Sequence, residues 1–571
     1  MILIHAPVVK PRIRYIFNHF FGRRMGNDIS FTSDLSAFIA HSGPKMSYGD
    51  SPLGNEFFVA AHGLLTQQGV PSIEINLFDW EGLPAFFPTP VKSSLPFDFF
   101  AAAFYLMSRY EEYHPFVADD LGRFTSDQSL AAKHDFLHLP LIDLWFDRFL
   151  SIWQAFFDTK SIERMPSKLS IVVDIPQLFA FKHKTVFRSF AEGVQDFFQF
   201  RFGSIFDRAL VVLGIREDPL ANLYNWIEIL LQKTTSIRFF VLYTKLGVHD
   251  RSLSVFNATH QQEIKSISDY APTAPLASFE SSTNETVLGT DIERFGTLIH
   301  RPVKSIRQHK LVLQFPHTYR LFSSLGIKND YSMQYADAAG FRASTAFPFR
   351  FYDLGDEQQT PLTVHPVCLS EIHIRNQRFS RKMRQLFLAY QDRLTKLHAP
   401  FVALIGEIKF ATLEDIIDPN QQQLFLLLDG VTDVRNFGAI IRSAVGLSAS
   451  GVVIGQTGSA PLNNIAIQAS AGGAFHIPIV RVSHLKDAMY MLQSHDITLM
   501  GCTEKAERFI GDTNLNQSVG IIMGNENKGI SKGILNLCDE QIKIPINQTL
   551  DSYNVSVATA LVLYEYHRQN N

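Results

Sequence analysis

Cysteine is scarce in this 571-residue chain: Cys368, Cys502 and Cys538 are an odd set without the paired spacing of a zinc site. That usage argues against a disulfide framework and for reduced thiols in a cytoplasmic protein. Charge of one sign is lacking too. A net charge of −3 gives no global basic field, so affinity for nucleic acid has to come from local patches. Long apolar runs are absent: none reaches the roughly 18 residues of a membrane helix. The N-terminal Met1-Ile2-Leu3-Ile4 is followed by proline and basic residues rather than a signal-peptide core. The expectation is a soluble, cytoplasmic chain without membrane association. No internal repeat or low-complexity segment stands out.

What is present is unevenly distributed. Single hydrophobic cores stop growing near 250 to 300 residues, so a chain of this length should hold about two to four domains. Aromatic residues crowd the first half, as in Phe17 to Phe21, Phe97 to Phe104 and Phe197 to Phe206, whereas the last stretch is rich in Gly, Ala, Val and Ile. Residues 1–160 mix strand-like Ile73 to Phe78 with helical Phe99 to Tyr110, and a break follows near Pro166. Beyond it, strand-like Ser170 to Val173, Ala209 to Leu213 and Ile237 to Leu242 alternate with helical stretches, which predicts an α/β layer or barrel. Arg375 to Lys396 carries a basic cluster with one acid, Asp392, read as a solvated helix face or linker, with RNA contact as the alternative. From Gln421 onward, continuous apolar runs such as Leu424 to Leu428, Gly451 to Ile454 and Gly520 to Met523 predict a parallel sheet covered on both faces.

Three stretches in this last part carry chemistry. The first runs from Asp429 through Asn436, Phe437 and Gly438 to Arg442. Asn436 reads as a helix N-cap, Gly438 permits close backbone approach, and Arg442 lies one turn beyond it, a geometry suited to an anionic RNA backbone. The second is Gly524-Asn525-Glu526-Asn527-Lys528-Gly529, whose glycines allow a tight loop that exposes backbone polar groups. The third is Ile544-Pro545 followed by Asp551-Ser552-Tyr553-Asn554-Val555-Ser556, ahead of a helix whose small residues Ser556 to Ala560 suit close packing against another segment.

Together these resemble the three motifs of the SpoU (TrmH) family of RNA ribose 2′-O-methyltransferases in the SPOUT superfamily, closest to the 23S rRNA guanosine methyltransferase branch, from about His398 to Arg568. The resemblance implies a parallel α/β sheet with a trefoil knot, S-adenosylmethionine as cofactor, RNA as substrate, a homodimer, and no metal. It implies Arg442 as the main catalytic residue, orienting a phosphate and stabilising charge on the ribose oxygen, since a guanidinium stays protonated. Asn436, Glu526, Ser552 and Asn554 would complete the catalytic set. Thr503, Gly524, Ile544, Tyr553 and Asn554 would border the cofactor. The family usually has leucine where Tyr553 stands, and the larger ring would narrow the pocket. Residues 421–571 are thus the methyltransferase domain, and residues 376–420 a linker and remnant of an RNA-binding domain.

The remaining residues resemble a polysaccharide-deacetylase-like family: an accessory domain at 1–160 and an α/β domain, of the NodB barrel type, at 165–375. The stretches that carry this are Ser170 to Phe181, Leu313 to Arg320, Gly326 to Met333 and Gly340 to Phe349. The resemblance implies a metal held by an early acid pair and later histidines. Here Asp174 is followed by Ile175-Pro176, with proline where the second acid is expected, and no histidine lies between His260 and His300. A zinc-type site needs about three protein ligands, so the reading is a degenerate scaffold, with His309 and His317 as hydrogen-bonded core or surface residues. The competing reading is a carbohydrate-binding or residual deacetylase protein whose knotted domain serves dimerisation.

Overall fold

The structure is a computed structural model; it describes residues 1–158, 169–184, 208–214, 218, 236–369, 401–404, 411–414, 416–462, 464–471, 473–526, 528–547 and 552–570. Arg375 to Lys396 and Phe197 to Phe206 lie outside the described residues. The chain forms two compact units, one of 1–373 with 387–406, the other of 374–386 with 407–571.

The first unit opens with β1 (Ile2–His5), β2 (Ile29–Thr32), β3 (Lys45–Gly49) and β4 (Phe57–Ala60), a parallel sheet in the order β2-β1-β3-β4. A small antiparallel pair, β5 (Phe78–Trp80) and β6 (Leu83–Ala85), follows. The strand expected over Ile73 to Phe78 begins only at Phe78. Ile73, Ile75 and Leu77 do pack alternately against the core, but as irregular chain without a ladder. Alternation reports burial, and an extended loop produces it as well as a strand does.

The same unit contains an eight-stranded sheet: β7 (Leu169–Ile175), β8 (Ser236–Val241), β9 (Thr273–Ala277), β10 (Ser305–Gln308), β11 (Asn329–Asp330), β12 (Phe349–Asp353), β13 (Gln358–Val364) and β14 (Phe401–Leu404). Its order is β12-β13-β11-β10-β9-β8-β7-β14, parallel apart from the β12–β13 pair. Ala209 to Leu213, read as a strand, is helical at 208–212 instead, with the Leu213 amide bonded to the Ala209 carbonyl at 3.0 Å. Phe401–Leu404, expected in a linker and RNA-binding remnant, is the strand beside β7. The break expected near Pro166 does not divide the core: one apolar cluster joins Phe17, Phe100 and Trp145 to Phe322, Phe351 and Leu362.

Buried charge ties this unit together. Glu112 receives Arg109 Nε at 2.7 Å and Arg342 Nη2 at 2.5 Å, and all three side chains are at most 2% exposed. Burial alone pushes the Glu112 carboxyl upward, but Arg342 and Arg109 outweigh it and hold the group below its ordinary range. Asp174 on β7 accepts from Arg307 Nε on β10 at 2.9 Å. Three strand spacings of ~4.8 Å separate β7 from β10 in a flat sheet, so this contact requires the sheet to curl.

The second unit holds β15 (Leu424–Asp429), β16 (Gly451–Gly455), β17 (Ile479–Val482), β18 (Thr498–Cys502), β19 (Arg508–Phe509), β20 (Val519–Gly524) and β21 (Glu540–Lys543). All pair in parallel, in the order β17-β16-β15-β20-β18-β21-β19. The central strands β15 and β20 are almost fully buried, as their unbroken apolar runs require.

Candidate active site at the strand ends

The chain leaves β15 toward β16 and β17 on one side, then fills the other side with β18 to β21. Where neighbouring parallel strands send their connections opposite ways, a crevice opens at their carboxyl ends. Here that point lies between β15 and β20, and the loops around it are latched to one another. Asn525 Nδ2 donates to the Gly430 carbonyl at 2.7 Å, the Ser531 amide to Asp429 Oδ2 at 2.7 Å, and the Ala460 amide to the Val431 carbonyl at 2.8 Å. Asn525 was not among the residues singled out from sequence, although its place directly after Gly524 was the available signal.

The helix Val434–Gly446 starts from this crevice. Its N-cap is Asp433, whose carboxylate accepts the Asn436 amide at 2.7 Å. Asn436 is therefore the third residue of the helix rather than its cap: Asp433, three residues earlier, already satisfies the free amide. The Asn436 side chain is released for other work. Its Nδ2 donates to Glu526 Oε1 at 3.2 Å, and its Oδ1 accepts from Asn554 Nδ2 at 3.2 Å. Asn554 in turn caps the helix Val555–Asn570, accepting the Ser556 amide at 2.9 Å and the Ser556 hydroxyl at 2.6 Å. Residues 90 and 118 positions from Asn436 are thus joined in one hydrogen-bonded chain.

Gly438 does allow close backbone approach, but toward protein. A Cβ there would lie 2.4 Å from both the Ala466 carbonyl oxygen and the Ala469 Cβ, so the glycine seats this helix on Asn464–Ala469. Arg442 is exposed one turn farther on and has no ion-pair partner among the described residues. Ser552 is likewise exposed, with no side-chain hydrogen bond among them.

The expected cofactor residues follow three neighbouring strands. Gly524 ends β20, Thr503 follows β18, and Ile544 follows β21. The Thr503 amide donates to the Ile542 carbonyl at 2.9 Å, which continues the β18–β21 ladder, and Thr503 and Ile544 are half-buried. A Cβ on Gly524 would lie 2.2 Å from the Gly529 carbonyl carbon, so only glycine lets the 525–529 loop fold back on its strand. Tyr553, 36% exposed, donates its hydroxyl to the Pro545 carbonyl at 3.1 Å, so the ring is tied to the turn after β21. Burial first, and Glu504 second, push the Cys502 thiol up to about 12, leaving it inert near neutrality.

In the first unit Asp174 meets a guanidinium, and its Oδ1 has no hydrogen-bond partner among the described residues. His309 Nδ1 lies 2.8 Å from Asp250 Oδ1, and His317 Nε2 is 3.4 Å from the Thr283 carbonyl. Among the described residues no group of three or more His, Cys, Asp or Glu side chains could hold a metal.

With this geometry in view, residues 423–564 match the SpoU rRNA Methylase family. Over 182 residues the chain is 31% identical to YacO of Bacillus subtilis (strain 168), assigned to the TrmH family of tRNA/rRNA methyltransferases; the match covers 31% of this chain and 73% of YacO. The chain belongs to the SpoU family. It is 36% identical over 159 residues to the 23S rRNA (guanosine-2′-O-)-methyltransferase RlmB of Escherichia coli (strain K12), and this SpoU match covers 28% of the chain and 65% of RlmB. The chain therefore spans a little under two thirds of the length of such relatives. Among solved structures, the SpoU methyltransferase AviRb from Streptomyces viridochromogenes, also solved with its cofactor AdoMet, is 25% identical at a TM-score of 0.28, covering 32% of this chain and 77% of AviRb. Residues 2–158, outside the SpoU part, match a family of unknown function (DUF7033).

Proposed function

We propose that this protein is an S-adenosylmethionine-dependent RNA ribose 2′-O-methyltransferase acting on ribosomal RNA, with a guanosine of 23S rRNA as the target class. One observation carries the reading: Asn436, Glu526 and Asn554, one from each motif, form a single hydrogen-bonded chain at the carboxyl edge of the parallel sheet.

The edge fits a nucleoside-bearing cofactor. Gly524, Thr503 and Ile544 follow adjacent strands, and at ~4.8 Å per strand they form a shelf ~10 Å wide, about the length of an adenosine. Half-buried Thr503 and Ile544 line it with backbone, and Tyr553 closes one end through its bond to Pro545. When bound, the cofactor supplies an electrophilic methyl group. Arg442 orients an RNA phosphate and offsets the negative charge that develops on the ribose 2′-oxygen as its proton passes to solvent. Asn436, held from both sides, fixes the start of the helix that carries Arg442, so much of the rate gain is positional. Glu526 and Asn554 hold Asn436, and exposed Ser552, without a side-chain hydrogen bond among the described residues, is turned to RNA.

The reading includes the trefoil knot expected of this family, as an exception to the usual rule against knots, and a homodimer. Exposed Val557, Leu561 and Tyr564 lie along one stripe of the terminal helix and supply an apolar face for a second copy. For residues 165–375 we propose a scaffold of the deacetylase-like type in which Arg307 neutralises Asp174.

The test is methyl transfer from labelled S-adenosylmethionine to unmodified rRNA by the full chain, with the modified ribose mapped. A 2′-O-methylguanosine at a single 23S position is the expected result. Cofactor binding without transfer to any rRNA would remove the substrate assignment; absence of cofactor binding would favour a non-enzymatic dimerisation module.

A further inference from the structure

One flank of the helix Val434–Gly446 carries groups that the Asn436 chain of hydrogen bonds does not use. Arg435, Ala439, Arg442 and Gly446 recur at intervals of four, three and four residues and so share one face. The opposite face, with Phe437, Gly438, Ile440, Ile441 and Ala444, is buried. Arg435 and Arg442 are both exposed, and neither has an ion-pair partner among the described residues. Elsewhere in this unit exposed arginines do find carboxylates: Arg508 pairs with Glu540 at 2.8 Å and Arg568 with Glu565 at 2.7 Å. Between these two guanidinium groups, unpaired among the described residues, the face carries only a small side chain. Ala439 is the residue between them on that face, and beyond Arg442 the face continues to Gly446, where nothing lies within 4 Å of the place a Cβ would occupy.

Seven residues at ~1.5 Å each set the two arginines ~10.5 Å apart along the helix, the rise of about three nucleotides stacked at ~3.4 Å. Two cations at that spacing on one helix face, without a charged partner among the described residues, suit a polyanion with regularly spaced charges. Arg435 also adjoins Asn436, which places it at the crevice end of the strip.

Resting on the methyltransferase reading, we propose that Arg435 is a second RNA-binding residue: with Arg442 it holds two phosphates of one strand, on either side of the ribose presented at Asn436. The contact is to backbone, so it adds affinity and register rather than base preference.

The experiment measures binding of unmodified 23S rRNA to the full-length protein across a salt series, for wild type, Arg435→Gln, Arg435→Lys and Arg568→Gln. Loss of one phosphate contact should weaken Kd about five- to tenfold and lower the slope of log K against log salt by roughly 0.7 to 1 in Arg435→Gln. Arg435→Lys should keep the slope, Arg568→Gln should match wild type, and thermal midpoints should coincide. An Arg435→Gln protein with wild-type Kd and slope, or with weakened binding at unchanged slope, overturns the proposal. So does a change in sedimentation instead of RNA affinity, which would make Arg435 a contact between protein copies. If Arg435→Gln is unstable, a Lys variant that is folded yet has lost the slope overturns it equally. Wild type that neither binds nor methylates rRNA would instead bring down the methyltransferase reading.

Discussion

The two units spend their polar residues differently. In the first, charged groups meet opposite charge: the buried Arg109, Glu112 and Arg342 satisfy one another with Glu111 also on Arg109, and the part-exposed Asp174 is held by the buried Arg307 through one oxygen. In the second, the polar residues at the carboxyl ends of the strands are half-exposed or exposed, and Arg435 and Arg442 have no charged partner among the described residues. A pair that completes itself inside a protein specifies a fold, whereas groups that meet only each other's edges at a rim are available to a ligand. The contrast locates chemistry in the second unit without appeal to any relative.

Substitutions can sharpen or break that contrast. The largest effect belongs to the first unit: Glu112→Ala strands the buried Arg342 guanidinium and leaves Arg109 with Glu111 alone, at 2.7 Å, and should cost about 3–5 kcal/mol of stability, read as a lowered denaturation midpoint. A change of under 1 kcal/mol would mean the buried groups do not satisfy one another in the sense argued. In the second unit, Arg442→Ala should lower methyl transfer by about 10²–10³-fold, some 3–4 kcal/mol in the barrier, while cofactor affinity stays within a few-fold and the melting temperature is unchanged. Undiminished turnover would take Arg442 out of its role.

Third comes a pH effect in the first unit. His365 lies stacked on Tyr331 with ring centroids 4.4 Å apart, and burial, then the charge of Arg238, lowers its pKa from 6.5 to about 4. Because the unfolded chain binds this proton first, the contribution is intact above pH ~6.5 and is lost as pH falls toward ~4, by about 3 kcal/mol in all. The stability difference between wild type and His365→Phe should therefore change across that window and be flat above it; a flat difference throughout would show that the ring is accessible to protons. The smallest effect is Asn436→Ala, expected to slow turnover about tenfold, ~1.4 kcal/mol, through loosened positioning. Since Asp433 provides the cap, its thermal stability should barely move, and a large loss of stability would return Asn436 to a structural role.

Much of the second unit was legible from sequence because a buried parallel strand is an unbroken apolar run and its functional loops begin where the run stops, as at Asp429, Gly524 and Ile544. The cap was misassigned because Asp433 and Asn436 are both good caps three residues apart, and pattern alone does not say which one takes the free amide. Ala209 to Leu213 went wrong for a related reason: a short apolar run fits a strand or a helix turn equally, and only the 3.0 Å bond from Leu213 back to Ala209 decides. The partner of Asp174 lies 133 residues away, a distance over which no local pattern operates.

The strand Phe401–Leu404 changes how this protein should be divided. It pairs with β7 yet comes more than thirty residues of chain after β13, the strand before it in sequence. A fragment that stops at residue 375 would leave the β7 edge bare, an open template for another molecule's strand. The first unit's independence thus depends on a segment next door to the methyltransferase sequence, and a cleavage or deletion meant to silence one unit by cutting between 376 and 406 would injure the other.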